Sequence, residues 1–244
     1  MNAAHRSVYV EALGEAELPW IVYLADSALL ADGRMLGRLS IHVYTALPAA
    51  GGVWRSACPQ ARFGSTMNTA LLIIDVQRAL CTGNERVFGI GVVIERINSL
   101  SCRARAAAAP VVFVQHEEDE GAFRSGTEGW ELADGLVTAP GDLRVRKTTP
   151  NSFHRTLLQQ LLQERRVERV VICGLQTEYC VDTTLRQALS LGYRIVLASD
   201  AHSTVDGVLM APQIIAHHNH TFRNMNSFGP VIEVKPTVDV AFDT

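Results

Sequence analysis

The sequence predicts an α/β fold, a mainly parallel sheet with helices on both faces. Two observations predict it. Beyond Met67, continuous apolar runs alternate regularly with amphipathic stretches of helical period. The apolar runs also lack the in-out alternation of a sheet with one wet face, so each strand is expected to be buried on both sides, as parallel strands are.

The elements run in order along the chain. Residues 69–76 (TALLIIDV) form an apolar run that ends in an acid, the first strand. Residues 89–107 read as a helix with Val92, Val93, Ile97 and Leu100 on one face. Residues 110–115 (PVVFVQ) are a second buried strand and 143–146 a short third one. Residues 152–165 (SFHRTLLQQLLQER) are an amphipathic helix with Ser152 placed to cap its start. Residues 167–173 (VERVVIC) are a strand followed by Gly174, and 180–191 a helix that Gly192 stops. A strand at 193–198 (YRIVLA), a helix at 212–223 and a last strand at 231–234 complete the pattern. In such sheets the site lies at the carboxyl ends of the strands. Asp75, His116, Lys147 and Gly174 all fall at such ends and are expected on one rim.

Residues 1–66 differ, with Gly, Ala and Pro clusters (LPAAGG at 47–52) and two candidate short strands, 20–23 and 39–44. Two readings stand side by side. Either translation begins at Met67, or the segment is a genuine extension covering a sheet edge or an oligomer contact. The expected organisation is an extension, 1–66, and a principal domain, 67–244.

Composition narrows the class. With 48% hydrophobic and 19% charged residues the chain can bury a sizeable core, which excludes general disorder. A net charge of −3 argues against a nucleic-acid partner. No apolar run is long enough for a bilayer, and no basic start precedes an apolar leader, so no membrane partner is expected. The five cysteines, Cys58, Cys81, Cys102, Cys173 and Cys180, are odd in number, irregularly spaced and without a CxxC pair. A reducing cytoplasm fits that usage.

Cys180 lies where an apolar strand passes through a glycine-containing loop into a helix, in GLQTEYCVDTTLRQAL. A sulfur near a helix N-terminus is biased toward thiolate, and N–H groups of the loop can hold an oxyanion. The plain alternative is a core cysteine, the assignment given to Cys173. Asp75 closes an apolar strand, either as a proton acceptor or as a cap for the next segment. Lys147, in RVRKTTPNSF, either orients that carboxylate and lowers the thiol pKa or is an ordinary solvated lysine.

The strings LLIIDVQ, KTTPNSF and GLQTEYCVDTT, in this order and at these separations, resemble the isochorismatase-like cysteine hydrolases, which include nicotinamidases and N-carbamoylsarcosine amidohydrolases. The resemblance runs from about Met67 to Ala241 and is most specific in the third string. It implies a Rossmann-like three-layer α/β/α sandwich with a mainly parallel sheet. It implies Asp75, Lys147 and Cys180 as a catalytic triad, and a cis peptide between Leu175 and Gln176 that aims the N–H groups of Gln176 and Cys180 at the substrate oxygen. The implied activity is hydrolysis of a C–N bond in a small-molecule amide or carbamoyl substrate through a thioester, with no cofactor. Relatives commonly form homodimers or homotetramers. Cleavage of the isochorismate vinyl ether belongs to members without the cysteine, so the family name does not transfer literally.

Metal-dependent nicotinamidases carry a DxHxxH stretch. The matching region here, QHEEDEGAFRSGTEGWEL, supplies His116 without the following spacing, and so resembles the metal-free branch. His116, Phe123 and Trp130 are expected to line the pocket with Tyr179, simple loop packing being the alternative for Phe123 and Trp130. His217, His218 and His220 sit on an expected helix without a Cys, Asp or Glu to complete a metal set, and are assigned to a surface or interface. A metal-dependent nicotinamidase and a non-catalytic oligomeric binding protein are the competing functions.

Overall fold

A computed structural model of the chain describes residues 67–225 and 231–242, together with the strand backbone of 6–10, 21–26, 28–29, 35–36 and 44–45. The chain divides into two compact units, Met1–Arg62 and Phe63–Thr244. In the first unit Ile21–Asp26 pairs antiparallel with both Arg6–Val10 and Tyr44–Thr45. Residues 21–23 of the strand expected at 20–23 lie in Ile21–Asp26, and residue 20 lies outside the described residues. Of the strand expected at 39–44 only Tyr44 is described as one, and residues 39–43 lie outside the described residues.

The second unit is built on a six-stranded parallel sheet. Its strands are β1 (Thr69–Ile74), β2 (Val111–His116), β3 (Leu143–Lys147), β4 (Arg169–Leu175), β5 (Arg194–Ser203) and β6 (Ile232–Lys235). Their order across the sheet is β6-β5-β4-β1-β2-β3. The helices are α1 (Ile90–Ala106), α2 (Leu158–Glu164), α3 (Asp182–Ser190) and α4 (Ala211–Arg223).

The alternation of side chains along β1 sorts the interior into two cores. Ala70, Leu72 and Ile74 join Leu158 and Leu162 of α2, Leu185 and Ala188 of α3, and Phe222 of α4. Leu71 and Ile73 face the other way, onto Val93, Ile97, Leu100 and Ala104 of α1. Three helices therefore cover one face and α1 covers the other, the three-layer sandwich expected. On α1 the buried stripe is Val93, Ile97, Leu100, Ser101 and Ala104, whereas Val92, expected on it, is about half exposed.

Two elements depart from expectation. The helix predicted at 152–165 is only Leu158–Glu164, because Arg155 adopts φ 54 and breaks the helical path. Ser152 caps nothing; it is buried, with its Oγ 2.8 Å from Thr184 Oγ1. The strand predicted at 193–198 continues to Ser203. Its pairing with β4 slips between Leu197, opposite Ile172, and His202, opposite Gly174, so the strand bulges before it returns to register.

Gly174 is required where β4 passes β1. Its φ is +115, and a Cβ there would meet the Ile74 carbonyl oxygen at 2.1 Å and nitrogen at 2.6 Å. Both contacts are with backbone, so neither can yield by a rotamer change. Gly174→Ala is expected to destabilise the fold by about 3 kcal/mol or more, read as a lower urea midpoint. An unchanged midpoint would refute the close approach.

Candidate active site

β1 ends against the polar rim. Asp75 takes a left-handed conformation (φ 50), its N–H donating to Val114 O at 2.9 Å, which turns the chain off the sheet. Lys147 is the last residue of β3, two strands away in the sheet. Its Nζ donates to Asp75 Oδ2 at 2.7 Å and to Cys180 Sγ at 3.3 Å. The side chains of Lys147 and Asp75 are 0% and 2% exposed, so the ammonium is no solvated lysine. Asp75 Oδ1 is buried without a hydrogen-bond partner, so its acceptor capacity is unspent.

Cys180 sits in a π-helical turn, Thr177–Val181, that follows the cis peptide Leu175–Gln176 and precedes α3. The π turn runs directly into α3, so Cys180 is helical and lies near the start of the helical segment, as expected. The N–H groups of Tyr179 and Val181 turn back to Gln176 O at 3.2 and 3.1 Å. Neither is one of the two N–H groups, of Gln176 and Cys180, expected to meet the substrate oxygen.

Burial and the neighbouring carboxylate weigh against the thiolate that a helix end favours. Burial pushes the Cys180 thiol up to about 12, the Asp75 carboxylate adds to the rise, and Lys147 opposes it. Burial likewise raises Asp75 above its ordinary 3.8, with Lys147 as the main opposing influence. The arrangement favours a neutral thiol beside a basic carboxylate, in which sulfur loses its proton as it attacks. Cys173 is buried in β4 with its thiol raised by burial and 3.5 Å from Leu72 O, in keeping with a packing role. The described cysteines, Cys81, Cys102, Cys173 and Cys180, are free thiols.

His116 closes β2, and its ring meets Phe123 edge-on with centroids 5.4 Å apart. Its Nε2 lies 3.2 Å from Glu118 Oε1, while Nδ1 is buried without a hydrogen-bond partner. The Trp130 indole N–H is also buried and unpartnered, and the Arg146 guanidinium lies 5.5 Å from the ring centroid. Tyr179 is 55% exposed at the turn that carries Cys180.

Residues that sequence reasoning missed hold this loop in place. Gln77, fully buried, accepts from the His116 N–H at 2.8 Å and donates to His116 O and Trp130 O at 3.0 and 2.9 Å. Gln115 donates to Trp130 O at 3.0 Å and accepts from Arg144. Arg78 pairs with Glu128 and Asp134 of the same loop. A polar Gln two residues past a strand end, in DVQ, was the available signal. A cleft of about 360 Å³ lined by Arg86, Phe88, Gly89 and Asp206 includes none of Asp75, Lys147 and Cys180 in its wall. The hydrogen-bond chemistry, and not the size of that cleft, marks the site.

On α4, His218 Nδ1 lies 2.9 Å from Ile214 O and Nε2 lies 3.7 Å from Asp182 Oδ1. Among the described residues no group of three or more His, Cys, Asp or Glu could hold a metal ion.

A parallel three-layer sandwich with an acid, a lysine and a cysteine joined at its rim defines a recognisable class. Residues 69–236 match the isochorismatase domain, and the chain belongs to that family. A streptothricin hydrolase of Streptomyces noursei is 42% identical over 146 residues, covering 59% of this chain and 52% of the relative. The chain thus spans about half the length of that relative. The isochorismatase family protein YddQ of Bacillus subtilis is 31% identical over 63% of this chain and 88% of its own length. Among solved structures, an isochorismatase family protein has a TM-score of 0.64 at 37% identity, covering 69% of this chain and 98% of that one. A cysteine hydrolase from Pseudomonas syringae has a TM-score of 0.63 at 25% identity, covering 70% and 90%.

The ion pair sets a clear expectation. Asp75→Asn leaves the Lys147 ammonium buried without a counter-charge and should destabilise the protein by about 3 kcal/mol. Asp75→Leu combined with Lys147→Met removes both charges and should recover most of that loss in urea unfolding. A double variant no more stable than Asp75→Asn would show that the pair is not an isolated buried unit.

Proposed function

We propose that the chain is a hydrolase that cleaves a C–N bond, amide or carbamoyl, of a small molecule through a thioester on Cys180. The observation that carries the reading is the Lys147 ammonium held between Asp75 Oδ2 and Cys180 Sγ while Asp75 Oδ1 stays free to take a proton. Asp75 accepts the thiol proton as sulfur attacks the carbonyl carbon. Lys147 keeps the carboxylate oriented and offsets the negative charge that develops near sulfur. The N–H groups of Gln176 and Cys180 bind the oxyanion. Asp75 returns the proton to the leaving amine, and water then hydrolyses the thioester with Asp75 again as base. His116, Phe123, Trp130 and Tyr179 line the substrate pocket, where the unpartnered Nδ1 of His116 and indole N–H of Trp130 meet polar atoms of the substrate.

The relatives support the choice of bond. They include proteins named streptothricin hydrolase and, at 28% identity, ureidoacrylate amidohydrolase of Pseudomonas syringae. Among the described residues no helix is long and apolar enough to cross a membrane. The free thiols fit a reducing cytoplasm, and a homodimer or homotetramer is the assembly we expect, to be read by light scattering. A monomer at all working concentrations would refute that assembly.

The test is release of ammonia or amine from a panel of small amides, ureido compounds and streptothricin, comparing the protein with Cys180→Ala. Turnover should vanish in the variant, and denaturing mass spectrometry should trap an acyl adduct on Cys180. The rate should fall as acid protonates Asp75, with its midpoint above 3.8 because burial raises that carboxyl. Turnover that survives in Cys180→Ala would overturn the mechanism.

A further inference from the structure

Beyond the triad, a second buried polar chain runs from α4 through β5 to the turn that carries Cys180. His202 is 2% exposed and Thr177, which opens the turn, is fully buried. Thr177 Oγ1 lies 2.9 Å from His202 Nδ1, and His202 Nε2 lies 3.1 Å from Asn219 Oδ1. Asn219 Nδ2 in turn donates to Ser199 O at 2.9 Å.

The far end of this chain fixes the Asn219 amide and the proton on His202 Nε2. Ser199 O is a carbonyl and only accepts, so the Asn219 NH₂ must face it, and Asn219 Oδ1 must face His202. Oδ1 also only accepts, so His202 Nε2 carries the proton. In the neutral ring Nδ1 then bears the lone pair and accepts from the Thr177 hydroxyl. The bulge in β5 is what makes this possible. It brings His202 back into register opposite Gly174, beside the turn, and leaves Ser199 O available to Asn219.

We propose that His202, locked as the neutral Nε2–H tautomer, is a positioning residue that holds the Thr177–Val181 turn so that Cys180 meets Lys147 and Asp75. The inference rests on the reading of Cys180 as the nucleophile. The charged groups around the ring oppose one another: His218 of α4 disfavours the imidazolium and Asp200 of the bulge favours it. Burial decides the balance and lowers His202 to about 4, so the neutral form holds at working pH. The neighbouring Glu178 accepts from Thr204 Oγ1 at 2.9 Å through Oε1, while its Oε2 is buried without a hydrogen-bond partner.

The sequence signal was a histidine just past the expected strand, among the small and polar residues of LASDAHSTV. A single imidazole there does two jobs that no apolar residue can do, accepting from Thr177 and donating to Asn219. Glutamine offers one acceptor and one donor at comparable reach, whereas phenylalanine fills the volume and offers neither. Thr177→Val removes only the hydroxyl at the other end of the same bond.

The experiment uses the full chain and the variants His202→Phe, His202→Gln and Thr177→Val. Nitrogen-15 NMR of the wild type should report Nε2 protonated and Nδ1 bare; the opposite tautomer would overturn the proposal. Alkylation of Cys180 by iodoacetamide, followed at that peptide by mass spectrometry, gives the pH midpoint of the thiol. His202→Phe and Thr177→Val should each move that midpoint down by about one unit or more, toward the ordinary 9.0, as the sulfur leaves its buried place beside Asp75. His202→Gln should keep the wild-type midpoint. Where substrate is in hand, kcat should fall about 10²-fold in His202→Phe with a smaller loss in His202→Gln. Midpoints unchanged in both His202→Phe and Thr177→Val, with only a lower melting temperature, would make His202 a packing residue. The alkylation midpoints do not need turnover, so failure of the hydrolase reading and failure of the positioning role are told apart.

Discussion

A carboxylate and an ammonium sealed from water can persist only where each is the other's partner, and the rim of the sheet is arranged around that need. Asp75 and Lys147 come from strands separated by β2, so their contact fixes the spacing of three strands at their carboxyl ends. Desolvating both charges costs several kcal/mol, which their attraction offsets only at close range and good angle. That makes the pair a poor source of stability and a strict geometric reference. Cys180 is then placed by reference to it, at hydrogen-bond distance from the same ammonium.

The thiol side of the site is built by a different device. β4 passes so close to β1 that only glycine fits at position 174, and the chain then leaves the sheet into a π turn and not directly into a helix. The turn carries the sulfur to the lysine, while Thr177 at its start is anchored through His202 to α4. Burial of the sulfur disfavours a resting thiolate, so the mechanism we propose gives the thiol proton to a base during attack. In that proposal the base is Asp75, with one oxygen occupied by Lys147 and the other buried without a hydrogen-bond partner.

The opposite wall is a loop and not a strand, yet it is tied as tightly as one. Gln77 and Gln115 reach from the ends of β1 and β2 to the Trp130 carbonyl, and Arg78 clasps two carboxylates of the same segment. Buried side-chain amides can bridge loop backbone in this way because each offers donors and an acceptor at once. The indole N–H of Trp130 and Nδ1 of His116 are left over by these bonds, buried and without a hydrogen-bond partner.

The sequence by itself determined the layered fold, because unbroken apolar runs of strand length can be buried only between two layers of helices. It also put Asp75 and Lys147 at strand ends that share a rim once the strands are parallel, while their grouping with Cys180 rested on the resemblance of three motifs to a known family. Local pattern also marked Cys173 as core and Gly192 as a helix stop, each from its immediate neighbours. The surroundings of the thiol came only from the tertiary structure, which buries the sulfur beside Asp75 and so disfavours a thiolate. It alone decided the shortened helix at Leu158–Glu164 and the extension of β5 through a bulge, since both arise from backbone conformations that the apolar pattern does not encode. The roles of Gln77, Gln115 and His202 were hidden for the same reason: a buried polar side chain is defined by partners far away in the chain, and no window of sequence contains them.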